Sequence, residues 1–287
     1  MLPVIHELPT PPGFERLIFA EEKDCGLKTY IAIHSTACGP AAGGCRMWNY
    51  DSLEAAKEDV LLLAKGMTSK NAIAGLGLGG GKSVIVGDPK TDKSEDLLRA
   101  FGKVVQYLNG NYFTAEDVGT SPEDMAIVAK ETPYAVGLNG GNFASGDPSP
   151  FTAEGVFQCL KAGAENVFGT ENLKGKRVLV QGLGHVGMSL VEKLHANGAD
   201  LIVSDINASL GDHAVAEFGA KSCASENVFD TDMDIFAPCA LGGILTHETV
   251  EKLTAKLICG AANNQLATPS IADEIQKRGI TYLPDYV

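Results

Sequence analysis

The chain has 287 residues, of which 45% are hydrophobic and 21% charged. That composition excludes disorder as the main state, and the length suits two domains better than one. With 23 Lys+Arg against 36 Asp+Glu the net charge is −13, and an acidic chain without a basic run is a poor partner for nucleic acid or anionic membranes.

No stretch approaches 18 uninterrupted apolar residues, and the first seven residues carry no basic region, so neither a transmembrane helix nor a signal peptide is expected. Seven cysteines (25, 38, 45, 159, 223, 239 and 259) include no C-x-x-C pair. They read as reduced thiols of a cytoplasmic protein, and no metal site is expected.

In chain order, a helix is predicted over Asp51–Lys65, capped by Asp51 with Glu54 completing a capping box. Val84-Ile85-Val86 reads as a short buried strand closed by Gly87-Asp88-Pro89. Ser94 opens a second helix that ends before Gly110, and Ser121-Pro122 opens a third. Asn139–Pro150, rich in Gly, Pro, Asn and Ser, reads as a loop or hinge. A domain boundary at 145/146 follows.

Beyond it, helices near 152–167, 186–197, 208–218 and 247–253 alternate with strands at 177–181, 201–204, 234–236 and 257–259. Alternation of this kind, with apolar strands, predicts a parallel sheet covered on both faces. The expected fold class is α/β in two domains: an α/β substrate and oligomerisation domain over 1–145 and a doubly wound Rossmann-type domain over 146–287, with a cleft between them.

The strand Val178–Gln181 runs into Gly182-Leu183-Gly184-His185-Val186-Gly187, and the next strand ends at Asp205. Gly182 allows the tight turn, Gly184 lets backbone approach a pyrophosphate, and Gly187 permits close helix–strand packing. Asp205 can accept both ribose hydroxyls and repels a 2′-phosphate, which favours NAD over NADP.

Gly75–Ser83 invites a P-loop reading, but G-x-x-x-x-G-K-[ST] needs Gly at 76, which is Leu. A second reading fits better. Lys70 and Lys82 flank a glycine-rich stretch, with Lys82 just ahead of a buried strand. Two ammonium groups close together in a partly dry pocket push one pKa down, which leaves one amine to act as a base and the other to hold a carboxylate. The plain alternative is two solvated surface lysines. Asp117, just after the apolar strand near Phe113, is either a proton carrier or a turn residue.

Several ordered segments resemble those of the leucine/phenylalanine/valine dehydrogenases, amino acid dehydrogenases related to glutamate dehydrogenase, and come nearest its leucine-specific branch. They are Gly39–Trp48, Lys65–Lys70, Gly79–Lys82, Thr114–Gly119, Gln181–Gly187, Ala237–Gly243 and Gly260–Gln265. The resemblance implies reversible oxidative deamination of an L-amino acid, with NAD as cofactor and a 2-oxo acid and ammonia as products.

Carried over residue by residue, it makes Lys70 the ligand of the substrate carboxylate, Lys82 the general base that activates water, and Asp117 the proton shuttle at the amine nitrogen. Gly43, Gly44, Met67, Ala115, Val136 and Asn264 become substrate-binding residues. Thr152, Gly182, Gly184, His185, Val186, Gly187, Asp205, Ala237, Pro238, Cys239, Ala240, Ala261 and Asn263 become cofactor-binding residues.

A pocket of small residues beside flexible Met67 selects branched aliphatic chains together, since one methylene is worth only ~1–3 kcal/mol. The family usually has Thr at the position of Val136 and Leu at that of Ala42, and both changes motivate an aromatic-selective alternative. The chain stops at Val287, where the family continues into a helical tail, which motivates a third reading: an inactive NAD-binding fragment. The resemblance also implies a homo-oligomer, often an octamer.

Overall fold

The computed structural model describes residues 2–140 and 147–287. The chain folds as two compact units, residues 1–147 with Tyr286 and residues 148–285 with Val287. The hinge expected over Asn139–Pro150, and the boundary expected at 145/146, fall largely on residues 141–146, which lie outside the described residues.

The first unit contains β1 (Val4–Glu7), β2 (Arg16–Glu22), β3 (Leu27–Ser35), β4 (Ala41–Trp48), α1 (Leu53–Ile73), β5 (Gly79–Val86), α2 (Glu95–Tyr107), β6 (Tyr112–Glu116) and α3 (Pro122–Val128). Its strands form one mixed sheet in the order β1-β2-β3-β5-β4-β6. Neighbours from β1 to β5 are antiparallel, while β5, β4 and β6 run parallel.

Strand alternation sends Ile31, Cys45, Met47 and Ile85 to one face, where they pack with Leu98, Phe101 and Val105 of α2. Tyr30, Ala32 and Val84 go to the other, against Ala56, Val60 and Ala64 of α1. Each fully buried Val or Leu here contributes roughly 1.5–3 kcal/mol.

Two sequence expectations are corrected in this unit. The cap of α1 is Ser52, whose hydroxyl accepts from Ala55 N at 3.1 Å, and the helix continues through Gly66 to Ile73. Packing carries it past Lys65: Asn71, buried on the inner face, donates to the carbonyls of Gly79 at 2.5 Å and Ala42 at 3.3 Å. The glycine-rich segment is itself a strand, so Lys82 lies inside β5 and not ahead of it. Gly80 is what lets α1 rest there, because a Cβ on it would sit 2.0 Å from Thr68 Oγ1 and 2.2 Å from Thr68 N.

The second unit contains α4 (Ser149–Phe168), β7 (Arg177–Gln181), α5 (His185–Ala196), β8 (Asp200–Ser204), α6 (Ala208–Phe218), β9 (Lys221–Ser222), a 3-10 turn (Ser225–Asp230), β10 (Ile235–Pro238), α7 (His247–Lys252), β11 (Leu257–Cys259), α8 (Ile271–Lys277) and β12 (Thr281–Leu283). The sheet is parallel throughout, in the order β12-β11-β10-β7-β8-β9.

Both of its faces are covered. Val178, Val180 and Ile235 pack with Leu160 of α4 and Leu190 and Leu194 of α5. Leu179, Phe236 and Ile258 pack with Val250 of α7 and Ile275 of α8. This is the doubly wound parallel architecture expected. The order reverses at β7, whose neighbours are β8 on one side and β10 on the other, and such a switch point opens a crevice at the carboxyl ends of the strands. Among the described residues no helix is long and apolar enough to cross a membrane.

Candidate active site

The polar centre of the first unit is built where three parallel strands meet. The β4–β5 register pairs Ala42 with Gly80 and Cys45 with Ser83, which sets Gly44 beside Lys82. The β4–β6 register pairs Gly44 with Ala115. At this level of the sheet β4 has no side chain, and the space is taken by Asp117 from the turn after β6. A Cβ on Gly44 would lie 2.8 Å from Asp117 Cβ and 2.4 Å from Glu116 O. Across that gap Lys82 Nζ reaches Asp117 Oδ2 at 2.8 Å, with the lysine side chain only 6% exposed.

The turn carrying Asp117 is pinned to the end of β4. Thr120 Oγ1 accepts from Asp117 N at 3.0 Å and donates to Cys45 O at 2.8 Å, while Met47 N donates to Val118 O at 2.9 Å. Gly119, at φ +83, adopts a left-handed backbone, and a Cβ there would strike Met47 O at 2.0 Å. Arg46 of β4 adds a second cation, its Nε 3.2 Å from Asp117 Oδ2. Burial alone would push the Asp117 carboxyl up, but the charges of Lys82 and Arg46 outweigh it and hold the pKa down to about 2.

The sequence places Lys70 and Lys82 together as like charges. The structure puts the opposite charge of Asp117 on Lys82. Lys70 lies in the last turn of α1, next to the buried Asn71 that fixes this turn to β4 and β5. Met67, one turn earlier, lies close to Gly43, whose added Cβ would meet Met67 Cγ at 3.0 Å and Gly81 O at 1.9 Å. Val136 joins the same strand end by donating its N–H to Thr114 O at 2.8 Å. Gly43, Gly44, Met67 and Ala115 therefore cluster on neighbouring elements around Lys82 and Asp117.

Sequence reasoning missed Arg46, Asp59, Tyr50, Thr120 and Asn71. A charged residue alternating within the apolar strand β4, and a polar one on the inner stripe of α1, were the available signals.

The remaining candidates belong to the second unit. Gly182 has φ +93, and a Cβ on it would lie 2.7 Å from Ala240 N. Gly187 abuts the strand end, since its Cβ would fall 1.9 Å from Gly182 O. Around Gly184 an added Cβ meets nothing within 4 Å, and α5 begins there with no side chain capping its N–H groups. Open backbone at an uncapped helix N-terminus suits a phosphate.

Asp205, at the tip of β8, accepts from Leu183 N at 2.6 Å and from Asn207 N at 2.8 Å. The residues present thus fit a dinucleotide. Ala237 and Pro238 end the neighbouring strand β10, Cys239 and Ala240 follow it, and Cys239 N donates to Gln181 O at 2.7 Å. Ala261 and Asn263 follow β11. Asn264 has a left-handed backbone at φ +51 and donates its N–H to Asp285 Oδ2 at 3.3 Å. Thr152 sits exposed in the first turn of α4, its hydroxyl on Pro148 O at 3.1 Å.

Known proteins resemble the chain over most of its length. Residues 15–134 match the family model described as Glu/Leu/Phe/Val dehydrogenase, dimerisation domain, and residues 145–214 and 206–287 match that of Glutamate/Leucine/Phenylalanine/Valine dehydrogenase. The chain is 52% identical over 274 residues to leucine dehydrogenase of Bacillus subtilis (strain 168), covering 96% of this chain and 75% of the relative. It is 48% identical over 282 residues to valine dehydrogenase of Streptomyces virginiae, covering 96% and 78%.

Among solved structures, L-tryptophan dehydrogenase from Nostoc punctiforme superposes with a TM-score of 0.72 at 42% identity, covering 96% of this chain and 78% of that one. Hetero-hexameric glutamate dehydrogenase from Thermus thermophilus shares the fold, with a TM-score of 0.73 at 23% identity over 99% and 72% of the two chains. The chain belongs to the glutamate/leucine/phenylalanine/valine dehydrogenase family of amino acid dehydrogenases.

Proposed function

We propose that the chain catalyses the NAD-dependent, reversible oxidative deamination of branched-chain L-amino acids (leucine, isoleucine and valine) to the 2-oxo acid and ammonia. The observation that carries the reading is the buried contact of Lys82 Nζ with Asp117 Oδ2 at 2.8 Å, where Gly43 and Gly44 leave no side chain between β4 and its neighbours. When bound, NAD supplies the acceptor for the substrate's α-hydride.

Lys70 holds the substrate carboxylate. Lys82 takes the proton from the attacking water, and Asp117 exchanges protons with the substrate nitrogen. Asp117 shares one oxygen between two cations. Loss of either cation's contact as substrate enters raises its proton affinity, which is what a shuttle needs at that step.

Gly43, Met67, Ala115 and Val136 offer apolar walls and no charge to a side chain. Discrimination among aliphatic chains then rests on burial, at ~1–3 kcal/mol per methylene, which suits a group of substrates better than a single one. Relatives named leucine and valine dehydrogenase support the same class. Gly182, Gly184, Gly187 and Asp205 bind the dinucleotide, and the carboxylate of Asp205 disfavours a 2′-phosphate. The assembly is a homo-oligomer, an octamer by the resemblance, and the dimerisation description of the matched N-terminal segment supports association.

An aromatic-selective reading is kept because a relative 42% identical is named for tryptophan. One assay separates the readings: NADH absorbance followed with L-leucine, L-valine, L-phenylalanine and L-tryptophan, with NAD and then NADP. Turnover of the aliphatic pair with NAD is expected, and preference for the aromatic pair would overturn the pocket argument. Lys82→Ala should remove turnover while leaving NADH binding intact.

A further inference from the structure

Asp117 is gripped from a side that the lysine pair does not explain. Arg46 projects from β4 with its side chain 12% exposed and joins two carboxylates, its Nε on Asp117 Oδ2 at 3.2 Å and its terminal nitrogen on Asp59 Oδ2 at 3.0 Å. Asp59 comes from α1 on the same face of the sheet, and the same oxygen accepts the hydroxyl of Tyr50 at 2.6 Å. The sequence Tyr50–Asp59–Arg46–Asp117–Lys82 is therefore one continuous line of hydrogen bonds and ion pairs. It draws on β4, β5, α1 and the turns before α1 and after β6.

A planar guanidinium fixes the angle between the groups it joins, whereas an ammonium does not. Burial works against charge on Arg46, and the two flanking carboxylates more than offset that cost. Asp59 with its tyrosine cap thus immobilises Arg46, and Arg46 in turn immobilises the carboxylate that faces Lys82.

We infer that Arg46, anchored by Asp59 and Tyr50, is a positioning residue for the deamination proposed above: it holds the Asp117 carboxylate in line with Lys82 so that the two exchange protons with substrate in a fixed geometry. The inference rests on that reading of Lys82 and Asp117.

The test compares wild type with Tyr50→Phe, Asp59→Asn, Arg46→Lys and the Tyr50→Phe/Asp59→Asn double variant, each checked by its melting curve. L-Leucine oxidation by NAD is measured in H2O and D2O, and NADH affinity by fluorescence. Arg46→Lys keeps the charge and loses the fork, so kcat should fall by about 100-fold, as expected for a misplacement near 1 Å. Tyr50→Phe removes one hydroxyl, leaves the fold intact and should lower kcat by roughly 3–10-fold, the weight of one hydrogen bond.

In each case the solvent isotope effect on kcat should rise, while the KM for leucine and the NADH affinity stay within about 2-fold. The double variant should be no worse than Asp59→Asn alone, because both act through one line. Unchanged kcat in folded Arg46→Lys, a loss confined to KM, or multiplying losses in the double variant would each overturn the inference. Absence of leucine turnover in wild type would reject the deamination reading itself, whereas active wild type with equally active variants rejects only the positioning role.

Discussion

A single methyl group at Gly44 should separate Lys82 from Asp117, the two groups on which the proposed chemistry depends. In Gly44→Ala the new Cβ would lie 2.4 Å from Glu116 O and 2.8 Å from Asp117 Cβ. Neither neighbour is the free end of a flexible chain. One is backbone at the end of β6, and the other is the root of a side chain whose tip is held by Lys82 and Arg46. Glu116 O must retreat to at least 3.0 Å, which draws the Asp117 turn away from β5 and lengthens the 2.8 Å contact with Lys82. Overpacking of this size costs about 1–3 kcal/mol of stability, and since a full 1 Å misplacement costs about 100-fold in rate, a shift of about 0.6 Å should cost on the order of 10-fold or more.

The assay pairs steady-state leucine oxidation with a urea unfolding curve. The expected result is a folded protein, weakened by that margin, with kcat lowered by about 10-fold or more and NADH affinity kept. A variant with wild-type kcat would show that the empty position beside Lys82 is not what seats Asp117, and the proposed roles of the pair would fail with it.

Other consequences are checked separately. Asp205→Ser should weaken NAD binding by about 10-fold or more, the weight of a hydrogen bond to a charged group, and narrow the gap between NAD and NADP; equal affinities before and after, by NADH fluorescence, would remove Asp205 from the cofactor site. Gly155 sits on the exposed side of α4 with open space around it, so Gly155→Ala should raise stability by about 0.5–1 kcal/mol; a lower melting temperature would contradict this. The Asp117 carboxyl, held down to about 2 from an ordinary value of 3.8, stabilises the folded state only while it is ionised. Its contribution, about 2 kcal/mol, is therefore fully present above pH 3.8 and is lost as pH falls from there toward 2. Unfolding free energies of wild type and Asp117→Asn should converge across that interval, and a constant gap through it would count against the ion pairs as the cause.

Legibility from sequence followed how local each interaction is. The tight turn at Gly182, the close packing at Gly187 and the place of Asp205 at a strand tip are legible because a strand, its turn and the next strand supply all of that geometry within one βαβ unit. Lys82 falls just outside the strand that the sequence predicts because Gly79-Gly80-Gly81 carries no side-chain alternation, although β5 is buried over almost its whole length. Ser52 and Asp51 are both good caps, and only the backbone decides between them. The line from Tyr50 through Asp59 and Arg46 to Asp117 was invisible because its members lie as much as 71 residues apart, and no spacing rule links them. For the same reason nothing in the sequence pairs Lys82 with Asp117, which arrives from the turn after β6.

The two backbone bonds to Asp205 bear on how a nucleotide would be received. Leu183 N and Asn207 N already occupy one lone pair on each carboxylate oxygen, so the side chain is oriented and the glycine turn is tied down in the protein alone. The rotational freedom that such a side chain gives up on binding, about 0.5–1.5 kcal/mol, has been lost during folding instead. Each oxygen keeps a second lone pair for a ribose hydroxyl. On the proposed dinucleotide reading Asp205 would meet the ribose already oriented, and the Leu183 amide hydrogen should be slow to exchange with solvent even in the absence of nucleotide.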